Sequence, residues 1–155
     1  MPRVSAPAPP ARPQAVLFAC THNALRSPMA EALARHYFGR EIFFASAGLR
    51  PAPLDGFAVA AMDELGMDIS KHKPRTFDDL EDLNFDLIVT LSPEAHHRAL
   101  EFTRTNALEV EYWPTADPSA THGSRDQVLD SYHAVRDGLE RRIKERLGWR
   151  SMGSL

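Results

Sequence analysis

Cys20 and Arg26 are the residues whose types and spacing can do chemistry together. They open and close the run CTHNALR, with five residues between them. A loop of that length can curl around one tetrahedral anion, its successive N–H groups turned inward. A helix starting behind it adds unsatisfied donors and partial positive charge. That field favours a thiolate, the nucleophilic form of cysteine. Arg26 offers a planar fork to two anion oxygens. Ser27 can either cap the helix or hydrogen-bond the sulfur. The run lacks the Gly-Lys-Ser/Thr ending of a nucleotide-binding loop.

These residues need elements to hold them. Ala15–Cys20 reads as a buried strand, and Ser27–Phe38 as a helix with Met29, Leu33 and Phe38 inward. Glu41–Ser46 predicts a second strand, and Asp55–Leu65 a second helix stopped by Gly66. Asp86–Leu91 and Pro93–Phe102 give a third strand and helix. Glu109–Trp113 is a short fourth strand, and Ser124–Leu147 a long last helix. Strands alternating with helices predict βαβ units and an α/β fold, with a mostly parallel sheet. Ligands in such sheets bind beyond the strand carboxyl ends, where the strand order reverses. Cys20 stands at that address.

The sequence has 155 residues, 43% hydrophobic and 25% charged, which predicts one globular domain. The net charge of −3 argues against a nucleic-acid partner. The single cysteine precludes an internal disulfide. No run approaches the roughly 18 apolar residues of a membrane helix, and no apolar leader opens the chain, so the expectation is a cytoplasmic protein without a membrane partner. Residues 1–14, rich in Pro and Ala, read as a disordered extension, 15–150 as the catalytic domain and 151–155 as a frayed tail. His96 and His97 are adjacent, so on a helix they diverge, and no metal site is expected.

Thiolate attack on a phosphate ester also requires a proton for the leaving group, and later an activated water. Asp117, in the loop WPTADPSATHGS, is the candidate, with Asp55 and Asp126 as weaker alternatives. Asp-Pro is itself a common turn element.

The segment CTHNALRSPMAEAL resembles the signature of the low-molecular-weight protein-tyrosine-phosphatase superfamily, which includes thiol-coupled arsenate reductases. Ser46-Ala47-Gly48 after the second strand, Gly66–Arg75 (GMDISKHKPR) and Asp117-Pro118 extend the likeness from about Ala15 to Leu147. It implies a three-layer sandwich, a four-stranded parallel sheet flanked by helices. It implies Cys20 as nucleophile, Arg26 as oxyanion clamp and Asp117 as general acid, with Thr21, His22, Asn23, Ala24, Leu25, Arg26 and Ser27 around the phosphate. It implies that Asn23, held in an unusual backbone conformation by Ser27, Ser46 and His72, supports the loop. No cofactor is expected, since Arg26 and the amides do a metal's work.

The chain departs from typical phosphatases in three places. His22 replaces the usual Gly, which arsenate-reductase relatives tolerate. Leu25 replaces a second Cys beside the Arg. Ser119 and Ala120 stand where phosphotyrosine enzymes usually carry Tyr. Ser92, in VTLSPEA, stands where a thioredoxin-coupled reductase would hold its first relay cysteine. The leading expectation is therefore a phosphomonoesterase acting through phosphocysteine on a phosphorylated protein or small phosphate ester, as a monomer or weak dimer. The alternative is a single-cysteine arsenate reductase that takes its electrons from an external thiol such as glutathione or mycothiol. A non-catalytic anion-binding module would not need Asp117.

Overall fold

The computed structural model describes residues 12–149. Strand β1 (Ala15–Ala19) is apolar throughout because it is central, paired in parallel with β2 (Phe43–Ala47) on one side and β3 (Leu87–Thr90) on the other. Strand β4 (Glu109–Tyr112) pairs in parallel with β3 at the far edge, giving the order β2-β1-β3-β4. The chain moves outward from β1 to β2, then returns past β1 to β3. The switch point therefore falls at the carboxyl end of β1, directly before Cys20.

Helices α1 (Arg26–Phe38), α2 (Gly56–Asp63) and α4 (Arg125–Leu147) form one outer layer, and α3 (Pro93–Leu100) lies on the opposite face. Alternation along β1 divides the core. Val16 and Phe18 face Met29, Leu33, Tyr132 and Ile143, while Leu17 and Ala19 face Phe77, Ile88 and Ala95. This is the expected four-stranded α/β sandwich.

The boundaries move for local reasons. Helix α1 begins at Arg26, one residue before the expected Ser27. Strand β2 starts at Phe43 rather than Glu41, because the amides of Glu41 and Ile42 are tied back to the Phe38 carbonyl. Helix α2 stops at Asp63, and Gly66 completes the turn at a φ of +74°. Helix α3 tightens into a 3₁₀ turn at Glu101–Arg104. Helix α4 is closed at its start by a Ser124–Gln127 capping box and at its end by Gly148 in the left-handed region. Of the expected extension, residues 1–11 lie outside the described residues, as does the tail 151–155. Residues 12–14 lie against the body: Pro13 is buried, and the Gln14 amide donates to Asp86. No helix among the described residues is long and apolar enough to cross a membrane.

Candidate active site

The loop from Cys20 to Arg26 fills the switch point. Its carbonyls are held by neighbouring elements. The amides of Leu49 and Arg50 donate to the Thr21 carbonyl at 2.8 and 3.1 Å, and the amide of Asp55 donates to the Ala24 carbonyl at 3.0 Å. His72 Nε2 lies 3.2 Å from the Asn23 carbonyl. In a trans peptide the next N–H points the opposite way, and no cis bond occurs among the described residues. The amides of His22, Ala24 and Leu25 therefore point away from those carbonyl partners, as those of an anion nest would.

Cys20 is 2% exposed. Its Sγ accepts the Asn23 amide at 3.3 Å and lies 2.9 Å from Ser27 Oγ. Both contacts suit a sulfur anion. Ser27 makes no helix-capping bond, so of the two possibilities read from sequence the structure uses the second.

Asn23 is the keystone of the loop. It is fully buried, and at a φ of 55° it is the sole non-glycine residue with positive φ among the described residues. Its Nδ2 donates to Ser27 Oγ at 2.9 Å and Ser46 Oγ at 2.8 Å. Its Oδ1 accepts the Arg75 amide at 3.0 Å and faces His72 Nε2 at 3.0 Å. Ser46 in turn donates to Glu31 Oε1 at 2.6 Å. A left-handed asparagine is tolerable, and four side-chain contacts over-determine it here. Burial pushes the His72 imidazole below its ordinary value. The Glu31 charge and the hydrogen bond to Asn23 pull the other way without reversing it. His72 is thus poised to donate Nε2–H as a neutral ring.

Arg26 is 8% exposed, and its Nη1 donates to the Thr115 carbonyl at 2.9 Å. That bond ties the arginine to the loop carrying Asp117. Asp117 caps the short 3₁₀ turn Pro118–Ala120, accepting the Ser119 amide at 3.0 Å and the Ser119 hydroxyl at 2.6 Å. Burial alone would raise this carboxyl. The two Ser119 bonds, with Arg26 and His22 beyond, hold it below the usual aspartate value. Cys20, His22, Ala24, Leu25, Arg26, Asp117 and Ser119 line one cleft of about 190 Å³, so the structure brings both halves of the expected chemistry together. Ala52, Pro53 and Asp55 complete it.

Asp55 faces that cleft, but its oxygens are engaged. Oδ1 accepts the amides of Phe57 and Ala58 at the start of α2, and Oδ2 accepts the Tyr132 hydroxyl at 2.7 Å. Burial and that carboxylate push the Tyr132 phenol upward. Asp126 is exposed in the first turn of α4 and does not line the cleft. Thr21 lies outside the cleft lining and donates to Ser92 Oγ at 3.1 Å, which also caps α3.

Three supports have roles that the sequence did not reveal, although Arg75 and Gly48 lie in motifs that it did. Glu31 looks like any helix carboxylate, although its spacing of four from Ser27 puts it on the same face. Arg75 Nε donates to the Ser46 carbonyl at 3.0 Å. Gly48 lies flush against the loop, where an added Cβ would come 2.6 Å from the Asn23 nitrogen and 2.7 Å from the His22 carbonyl carbon. Ser-Ala-Gly was legible as a motif, but its packing reason was not.

A parallel α/β sandwich with a cysteine–arginine anion loop at its switch point, faced by an aspartate, defines a cysteine-dependent enzyme of oxyanion chemistry. The family model for low molecular weight phosphotyrosine protein phosphatases matches residues 15–148, and the chain belongs to that family. It is 35% identical over 130 residues to an arsenate reductase of Bacillus subtilis, covering 84% of this chain and 92% of that protein. The solved arsenate reductase of Archaeoglobus fulgidus superposes with a TM-score of 0.68 at 30% identity, covering 86% of this chain and 98% of that one. A low molecular weight protein tyrosine phosphatase from T. tengcongensis superposes with a TM-score of 0.69 at 25% identity, covering 86% and 96%.

Proposed function

We propose that this protein is a single-cysteine arsenate reductase that takes its electrons from an external low-molecular-weight thiol. The mouth of the cleft carries the reading. Beyond the loop, the described residues that line it are Ala52, Pro53, Asp55, Asp117 and Ser119, none of which could lie as a flat ring against an aromatic leaving group. About 190 Å³ suits a small tetrahedral oxyanion. The arsenate reductases among its relatives, at up to 35% identity over most of the chain, support the same choice. The sequence by itself placed phosphate esters first and arsenate second; the cleft and the arsenate reductases among the relatives support taking them in the other order.

The cycle balances with two thiols. The Cys20 thiolate attacks arsenic and displaces an oxygen that leaves as water, protonated from Asp117, giving a Cys20 S–As(V) adduct. Arg26 and the inward amides hold the arsenate oxygens. An external thiolate then attacks Cys20 Sγ. The S–As electron pair departs with arsenic, which is reduced by two electrons to arsenite, and a mixed disulfide remains on Cys20. A second thiol attacks the mixed disulfide, releases the external disulfide and restores Cys20. With one cysteine in the chain, no internal relay can take that second step. Such a reaction belongs in a reducing, cytoplasmic compartment.

Phosphate-ester hydrolysis is the second reading, favoured by the same loop and by Asp117 across the cleft. The deciding experiment measures arsenite formed with glutathione or mycothiol beside hydrolysis of an aryl phosphate. Arsenite formation, lost in Cys20→Ser, is the expected outcome. Efficient aryl-phosphate turnover with no arsenite from any thiol would replace the first reading by the second.

A further inference from the structure

Asp55 lines the catalytic cleft together with Cys20, Arg26 and Asp117. A carboxylate there works against the site, because like charges side by side disfavour one another. The residue makes two other sets of bonds. Its amide donates to the Ala24 carbonyl of the anion loop at 3.0 Å. Its Oδ1 accepts the Phe57 and Ala58 amides at 2.8 and 3.2 Å, which caps α2. Neither set engages Oδ2, the other oxygen over which the carboxylate charge is spread.

Tyr132, on α4, engages it. Its hydroxyl donates to Oδ2 at 2.7 Å and is the sole hydrogen-bond partner of that oxygen among the described residues. Tyr132 is 1% exposed, and its ring centroid lies 5.3 Å from that of Phe57, so the phenol is fixed between α4 and α2. Burial, the bond to Asp55 and the charges of Asp55 and Asp117 all push the phenol upward, so it keeps its proton and remains a donor. Capping alone does not call for this arrangement, since a neutral asparagine caps a helix as well as an aspartate does. The hydroxyl is needed because residue 55 is charged.

We propose that Tyr132 is a positioning residue of the active site, whose hydroxyl holds the Asp55 carboxylate against α2 and keeps its charge off the oxyanion bound between Cys20 and Arg26. Without the hydroxyl, Oδ2 is left unpaired in the cleft, where its charge repels an incoming oxyanion and competes for the same donors. The role goes beyond the reductase reading, because arsenate and phosphate are both tetrahedral oxyanions and would occupy the same loop.

Calorimetric titration with inorganic phosphate near neutral pH tests this without turnover. Tyr132→Phe keeps the ring against Phe57 and removes the donor. It is expected to raise Kd for phosphate about tenfold. Asp55→Asn removes the charge and keeps the cap, and should bind phosphate at least as tightly as wild type. In the double variant Tyr132→Phe/Asp55→Asn, affinity should return to within about twofold of Asp55→Asn alone, because no charge is left to hold. A phenol that acts only by packing predicts no such rescue. Wild-type affinity in Tyr132→Phe would overturn the proposal, as would a double variant as weak as Tyr132→Phe alone. Failure of the wild-type protein to reduce arsenate with any thiol would count against the reductase reading only, and the phosphate titration would still decide the role of Tyr132.

Discussion

The Asn23 side-chain amide donates to Ser27 Oγ at 2.9 Å, a contact that occupies one lone pair of that oxygen. With Oγ already accepting, its hydrogen is free to point at Cys20 Sγ, 2.9 Å away. A residue in the left-handed region thus orients a hydroxyl toward the nucleophile. The relation joins backbone strain to sulfur chemistry through a single side chain.

Ser27→Ala removes that donor and leaves the sulfur with the Asn23 amide as its partner among the described contacts. A hydrogen bond to a charged group contributes about 1.5–3 kcal/mol, which converts to a loss of roughly 10–100-fold in kcat. Alkylation of Cys20 by iodoacetamide at neutral pH should slow as well, with circular dichroism unchanged. Wild-type alkylation and turnover would show that Ser27 does not act on the sulfur.

Asn23 separates strain from network. Asn23→Gly keeps access to positive φ but strips Ser46, Ser27 and His72 of their partner. Asn23→Ala loses both. A non-glycine residue in this region costs on the order of 1–2 kcal/mol, so the Ala variant should unfold at lower urea than the Gly variant by about that amount. Both should lose most activity, because the loop amides lose their alignment. If the two unfold together, backbone conformation is not a significant cost at this position.

Parts of this arrangement were readable in the chain and parts were not, for a physical reason. Cys20, Arg26 and Ser27 are local in sequence, so spacing and an adjoining apolar strand reveal them. Asn23, Ser46 and His72 meet across separations of 23 and 49 residues, and family likeness was needed to associate them. Glu31 and Arg75 serve through second contacts, to Ser46 and to the Asn23 oxygen, and no local pattern marks such a role. Asp55 shows the opposite case. A carboxylate at the cleft looked like an acid, but folding commits it to the α2 amides and Tyr132. Strand order was implied by alternating elements, whereas β2 shifted because a turn at Phe38 consumes two residues first.

His72 makes stability depend on pH. Burial holds its folded value below the ordinary imidazole value of 6.5. The unfolded chain therefore binds the proton more readily, and stability rises with pH through this interval. The contribution is present above about pH 6.5 and is lost as pH falls through the lower folded value. Urea midpoints measured at intervals from pH 7.5 to 5 should decline more steeply in wild type than in His72→Gln, whose amide can still donate to Asn23. Parallel declines would assign the acid sensitivity to other groups.

Ser119 governs the readiness of Asp117 to give up its proton. Burial acts to raise the Asp117 carboxyl, but the Ser119 hydroxyl and amide outweigh it, aided by the charges of Arg26 and His22. Ser119→Ala deletes the hydroxyl donor at 2.6 Å and leaves the amide at 3.0 Å. The carboxyl should then rise toward its ordinary value, so that Asp117 holds its proton to higher pH than in wild type. If Asp117 is the acid, the alkaline decline of kcat for a substrate with a poor leaving group moves to higher pH. Substrates with good leaving groups, which need little proton assistance, should show a much smaller shift. Asp117→Asn should slow substrates with poor leaving groups most and make the Ser119 substitution silent in the double variant. An additive effect of the two substitutions would place Ser119 outside the Asp117 pathway.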